Sequence, residues 1–176
     1  MTNAFSKFAW TSGALAAAAT ITGGSGNDNI DATSATKNVL LTGGAGQDTL
    51  VGGSGNDTIT DNSVHANGNG NSLSGGAGRD TITGGEGKDT LAGGDGNDSI
   101  VAGGGNDDIS DGAGDDVVVA GDGDDTITAG AGSDSFDGGA GADTFAMGTE
   151  WNSADTIIGG DGTDTVTVTA SAALTT

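Results

Sequence analysis

A nine-residue phase runs unbroken through residues 75–146 of this 176-residue chain. The unit reads Gly, Gly, any, Gly, any, Asp, any, aliphatic or Phe, any. It begins at Gly23, Gly43, Gly52, Gly75, Gly84, Gly93, Gly138 and Gly159. Four more units, within residues 102–137, replace the first Gly with Ala102, Asp111, Ala120 and Ala129 and keep the other marks. A short fixed period specifies a solenoid, in which each unit is stabilised by its neighbours. The interruptions read as loops on that solenoid and not as domain boundaries. An insertion near 61–65 precedes a degenerate unit with Asn71 in the sixth place and Leu73 in the eighth. Residues 147–149 are inserted before a unit that keeps only Asp155 and Ile157, and a weak unit over 34–42 has Val39 in the sixth place.

Within a unit, glycines recur at alternating places over the first six residues, which predicts a turn of unusual backbone angles. The last three residues predict a very short strand whose middle side chain faces inward. In the unbroken block that inward column is Ile82, Leu91, Ile100, Ile109, Val118, Ile127, Phe136 and Phe145. Two turns and two strands close a coil of 18 residues, or two repeats. Coils stacking about 4.8 Å apart give a rod on the order of 40 Å long. The predicted fold class is therefore all-β, a parallel β-roll solenoid over residues 23–167. Residues 1–22 form an N-terminal cap or assembly segment, and residues 168–176 form a tail, cap or export signal.

Composition shows that such a roll needs help. Only 29 of the 176 residues are Leu, Ile, Val or Phe, and the net charge is -21. Those figures describe a chain that does not bury enough apolar surface to fold by itself. The chain has no cysteine, so disulfides and thiolate metal sites are excluded as the missing stabiliser. The acidity also makes nucleic acid and anionic lipid poor partners. It is acidity of one kind, 23 Asp against 2 Glu, as expected where a short carboxylate must sit beside a tight turn.

The sixth place holds Asp28, Asp48, Asp57, Asp80, Asp89, Asp98, Asp107, Asp116, Asp125, Asp134, Asp143, Asp155 and Asp164. In an 18-residue coil these form two ladders, one on each edge, with Asp80, Asp98, Asp116 and Asp134 on one and Asp89, Asp107, Asp125 and Asp143 on the other. Unscreened, each ladder pushes the coils apart. Divalent cations between layers reverse the sign. Calcium suits the donors best, because it accepts six to eight oxygens in flexible geometry, whereas magnesium demands a tight octahedron and zinc prefers nitrogen or sulfur. Several ions are expected, bound most strongly within residues 75–146. Sites beside Asn71 are expected to be weak or empty. Asp57 pairs with Asp80 if the insertion near 61–65 bulges outward. Past Met147, Asp143 pairs with Asp164, while the pair of Asp134 with Asp155 is the weaker because residues 150–154 lack the glycine turn.

The sequence resembles the glycine- and aspartate-rich nonapeptide repeats of the repeats-in-toxin (RTX) family over residues 23–167. The resemblance implies a calcium-filled parallel β-roll. It also implies export through a bacterial type I channel by an uncleaved C-terminal signal, with the chain unfolded at low cytosolic calcium and folding outside. Backbone carbonyls of turn residues such as Gly75, Ala77, Gly93 and Asp95 would join the sixth-place aspartates as ligands.

Among proteins sharing such a roll, an enzyme is not expected. His65, the single histidine, falls in a predicted loop, and no Gly-x-Ser-x-Gly elbow or cysteine nucleophile occurs. Ice binding is disfavoured because the third place carries no Thr and the outward Thr pairs alternate with Val, Ser and Asp. No stretch is long enough to span a bilayer. The run over 14–19 follows only Lys7 and makes a weak cleavable export signal. The favoured expectation is a complete, secreted structural protein that folds with calcium and self-associates head to tail into a surface layer, matrix or filament, with cell-surface association. Phe5, Phe8, Trp10 and Trp151 are the assembly or capping candidates. The alternative is a monomeric calcium-binding secretion or folding module, or a fragment of a larger secreted enzyme, toxin or adhesin. In that case Phe5, Phe8 and Trp10 only cover the first coil, and Trp151 is a local packing anchor in its irregular unit.

Overall fold

The computed structural model describes residues 19–63, 68–149 and 151–169, together with the backbone of Phe8 and Ala9. Its strands, in chain order, are β1 (Phe8–Ala9), β2 (Ala19–Ser25), β3 (Asn29–Asp31), β4 (Val39–Ala45), β5 (Thr49–Val51), β6 (Thr58–Thr60), β7 (Asn69–Ala77), β8 (Thr81–Glu86) and β9 (Lys88–Asp95). They continue as β10 (Ser99–Gly104), β11 (Asp108–Ala113), β12 (Val117–Asp122), β13 (Thr126–Thr128), β14 (Ser135–Ala140), β15 (Thr144–Gly148), β16 (Thr156–Ile158) and β17 (Thr165–Val168). Odd-numbered strands pair in order into a nine-stranded sheet and even-numbered strands into an eight-stranded one. Every pairing is parallel. The chain thus alternates between two facing sheets, two nonapeptides per coil, as the phase predicts.

The eighth-place residues meet between the sheets. In the even sheet Ile82, Ile100, Val118, Phe136 and Ile157 stack in register. Leu50, Leu73, Leu91, Ile109, Ile127 and Phe145 stack in the odd one. From Ile30 to Phe145 these side chains are at most 1% exposed. Each such burial contributes on the order of 1.5–3 kcal/mol, so the seam is narrow but continuous. It opens at the C-terminal end, where Val166 is 48% exposed.

Two irregular stretches take regular places in the roll. Val39 is buried and aligns with Ala19, and Leu41 aligns with Ile21, so the unit over 34–42 occupies a full place in the even sheet. The same pairing puts residues 19–22, ahead of the first glycine pair, in the even sheet too.

The glycines hold the layers at strand spacing. Gly94 has φ +116°, and a Cβ there would collide with the carbonyl of Gly76 in the layer beneath. No side chain fits that conformation or that gap. The turns therefore stack backbone on backbone, and this stacking brings the sixth-place residues of successive coils into line.

Candidate metal centres

From Asp48 onward the sixth-place aspartates use their two oxygens differently, whereas both oxygens of Asp28, in the first unit, are buried without a partner. Oδ1 accepts the backbone N–H of the sixth-place residue one coil earlier. On one edge Asp80 N donates to Asp98, Asp98 N to Asp116 and Asp116 N to Asp134, at 2.7, 2.6 and 3.0 Å. On the other, Asp89 N donates to Asp107, Asp107 N to Asp125 and Asp125 N to Asp143, at 2.8, 2.7 and 2.9 Å. The ladders extend past the loops: Asp57 N reaches Asp80, Asp134 N reaches Asp155 and Asp143 N reaches Asp164. At the first coils Val39 N donates to Asp57 and Asp28 N to Asp48.

Oδ2 turns inward. In Asp28, Asp48, Asp80, Asp89, Asp98, Asp107, Asp116, Asp125 and Asp143 this oxygen is buried and has no hydrogen-bond partner. Burial raises these carboxyls above their ordinary value of 3.8, and in all but Asp28 the backbone N–H on Oδ1 partly offsets it. Asp80, Asp89, Asp98 and Asp107 are pushed up to about 6, and Asp48 and Asp125 to about 7. Neighbouring carboxylates in the ladder add to the rise for Asp98 and Asp125. Among these carboxyls only Asp107 feels a cation of the protein, Lys88, and that is the least of the influences on it.

The missing Cβ of the first-place glycine leaves room beside that oxygen. A Cβ built on Gly84 would lie 2.6 Å from both Asp89 Oδ2 and the carbonyl of Ala102, one coil later. At Gly75 the same place is flanked by Asp80 Oδ2 and the carbonyl of Gly93, and at Gly52 by Asp57 Oδ2 and the carbonyl of Gly75. Carboxylate and carbonyl oxygens thus converge, a hard all-oxygen donor set of the kind calcium takes. The Asp95 carbonyl accepts the N–H of Gly78, and Ala77 lies in register with Asp95.

The ladders are not uniform. Asp57 Oδ2 accepts the N–H of Gly53 at 2.7 Å, and Asp155 Oδ2 accepts the N–H of Asn152 at 2.8 Å, so neither presents a free oxygen as its neighbours do. Asp155 and Asp164 are only half-buried. Asn71 keeps the backbone role, accepting Asp48 N and donating its own N–H to Asp89.

Two aspartates outside the sixth place belong with this constellation. Asp111 and Asp61 stand where other units have the first Gly, and both are fully buried with Oδ2 unpartnered. Asp111 lies with Asp116 and Asp134 such that one oxygen from each falls within 4.8 Å of the others. Its Oδ1 accepts the N–H groups of Gly112 and Gly130, and burial pushes its carboxyl up to about 7. The signal in the sequence was plain, an Asp where only Gly or Ala otherwise stands, but the repeat assigns that place to backbone geometry. Of the aromatic candidates, Trp151 is 40% exposed and the Phe8 backbone pairs with Ile30. Phe5, Trp10 and His65 lie outside the described residues.

Stacked parallel coils with carboxylate ladders along both edges define a parallel β-roll with edges suited to divalent cations. The family model for the RTX calcium-binding nonapeptide repeat matches residues 18–34, 35–60, 65–100, 83–116, 110–145 and 152–169, and the chain belongs to that family. Its repeats imply calcium binding and are those of a structural module of secreted bacterial proteins. A search of curated proteins finds no match. No helix among the described residues is long and apolar enough to cross a membrane.

Proposed function

We infer that this chain is a calcium-triggered extracellular folding module. The carrying observation is the row of buried, unpartnered carboxylate oxygens along both edges. Beside Gly75, Gly84 and Gly138 that oxygen converges with a backbone carbonyl of the next coil, an arrangement of acceptors that calls for a cation. The sixth-place aspartates and the first-place carbonyls, with Asp111 beside Asp116 and Asp134, hold the ions. Bound calcium contributes the attraction between layers, and the protein contributes the register that aims the oxygens. Because the ions bind the stacked coils and hardly the open chain, binding free energy is folding free energy. A net charge of -21 keeps the calcium-free chain open for export, and calcium outside the cell closes the roll.

Circular dichroism during a calcium titration of chelator-stripped protein tests this. The expected change is from a disordered to a β-rich spectrum, and a β-rich spectrum already present without metal at neutral pH would defeat it.

Self-association is a second reading, favoured by one end of the roll. β17 is the outermost described strand of its sheet, with Val166 and Val168 about half exposed, and Ile158 on β16, the end strand of the facing sheet, is 55% exposed. An open strand edge with apolar side chains is a template for another chain, and a head-to-tail contact that does not close grows into a filament or layer. Sizing and electron microscopy across the same titration separate the readings: regular polymers support assembly, and a monomer at high protein and calcium supports the module alone.

A further inference from the structure

The Asn71 turn looks like a gap in its ladder. On that edge, Asp48 and Asp89 flank a residue with no negative charge, and Asn71 Nδ2 even turns toward the carbonyl of Gly84. The same turn, however, begins at Asp61, directly after β6, in the place where Gly43 and Gly84 stand in the coils on either side. Asp61 is wholly buried. Its Oδ1 accepts the N–H of Ser63 at 2.9 Å, which fixes the carboxylate, and its Oδ2 is buried with no partner. That oxygen and Asp48 Oδ2 are the two atoms nearest to where a Cβ on Gly43 would lie.

We propose that Asp61 is a calcium ligand that replaces the missing sixth-place carboxylate of Asn71, with the charge moved from the end of the turn to its start. This rests on calcium binding by the roll. The exchange leaves the turn with one carboxylate, as in a regular unit, and lets a loop be inserted after residue 61 without losing an ion. The sites beside Asn71 are then filled, contrary to the expectation from the repeat. Asp111 shows that the first place can hold a carboxylate against the ladder, since its oxygen meets those of Asp116 and Asp134. Asp111 adds to a turn that already has its aspartate, whereas Asp61 supplies the only one in its turn.

The test counts calcium bound per chain by equilibrium dialysis in the wild type, in Asp61→Asn, in Asp61→Asn with Asn71→Asp, and in Asp108→Asn, which removes an exposed strand charge. Asp61→Asn keeps the acceptor for Ser63 and removes the charge. The expected result is at least one fewer ion, or a several-fold higher calcium midpoint for folding, in Asp61→Asn. The Asn71→Asp change should restore both and Asp108→Asn should change neither. Should Asp61→Asn not fold at all, recovery in the double variant supports the exchange equally. Wild-type count and midpoint in Asp61→Asn, or no recovery in the double variant, overturns it. A wild type that binds no calcium would instead overturn the underlying reading.

Discussion

Asp98 donates its backbone N–H to Oδ1 of Asp116 at 2.6 Å across eighteen residues, while Asp116 Oδ2 lies buried without a partner. One carboxylate therefore sets the register of two coils and presents a charge between them. Repeated along both edges, this makes alignment and repulsion inseparable. The hydrogen bond brings the coils together only if something else neutralises the second oxygen. On the proposed reading, this is why the roll waits for a divalent ion.

The two uses of the carboxylate can be separated by substitution. Asp98→Asn keeps an acceptor for Asp80 N and removes the free negative oxygen. It should cost on the order of 1.5–3 kcal/mol of calcium-saturated stability, the range for a lost charged contact. Asp57→Asn should cost less than half as much, because Asp57 Oδ2 is already engaged by Gly53 N–H. Urea unfolding of both variants in saturating calcium checks the order.

Positive φ and close stacking can be told apart at two glycines. Gly148 has φ +54° with nothing within 4 Å of a Cβ, whereas Gly94 has φ +116° and the Gly76 carbonyl in the way. Gly148→Ala should cost roughly 1 kcal/mol, the backbone penalty alone. Gly94→Ala should cost clearly more and raise the calcium needed for folding, since two layers must separate. Calcium midpoints followed by circular dichroism make the comparison.

Truncating the seam should be felt across several coils. Ile100 is fully buried between Ile82 and Val118, so Ile100→Ala should destabilise the calcium-bound roll by about 2–5 kcal/mol. Ile157→Ala, at the half-buried end, should cost much less. Denaturant midpoints in excess calcium report both.

Acid should partly stand in for calcium. The buried carboxyls of Asp80, Asp89, Asp98 and Asp107 rise to about 6 in the folded roll, and Asp111 and Asp125 to about 7, from an ordinary 3.8. Because the folded values are the higher ones, the stability they contribute to the metal-free roll is complete below pH 3.8 and is lost as pH rises through 6 to 7. Metal-free protein should therefore gain β structure on acidification from pH 7 toward 4, as read by circular dichroism. Calcium affinity should fall over the same interval, since protons and metal compete for the same oxygens. Unchanged disorder in metal-free protein down to pH 4 would contradict this assignment of burial.

The seam and the ladders were legible because a period of nine with strand alternation leaves little choice about which side chain faces inward. Ile100 and Asp98 follow from counting. The unit over 34–42 was legible only faintly, because Val39 stands where the repeat has Asp. Its place became clear through pairing with Ala19 and through the bond from its N–H to Asp57. A repeat identifies a residue by its place in the unit, so Asn71 reads as a loss and Asp61 as a loop residue. Only the stacked structure puts Asp61 beside Asp48, because closeness across coils depends on how an inserted loop leaves the edge, which no local pattern encodes. The sequence by itself determined the coil, the inward column and the acidic edges, since all three are consequences of period and side-chain alternation. The tertiary structure decided which oxygens are spoken for and which remain free, because that depends on the N–H groups of a layer eighteen or more residues away.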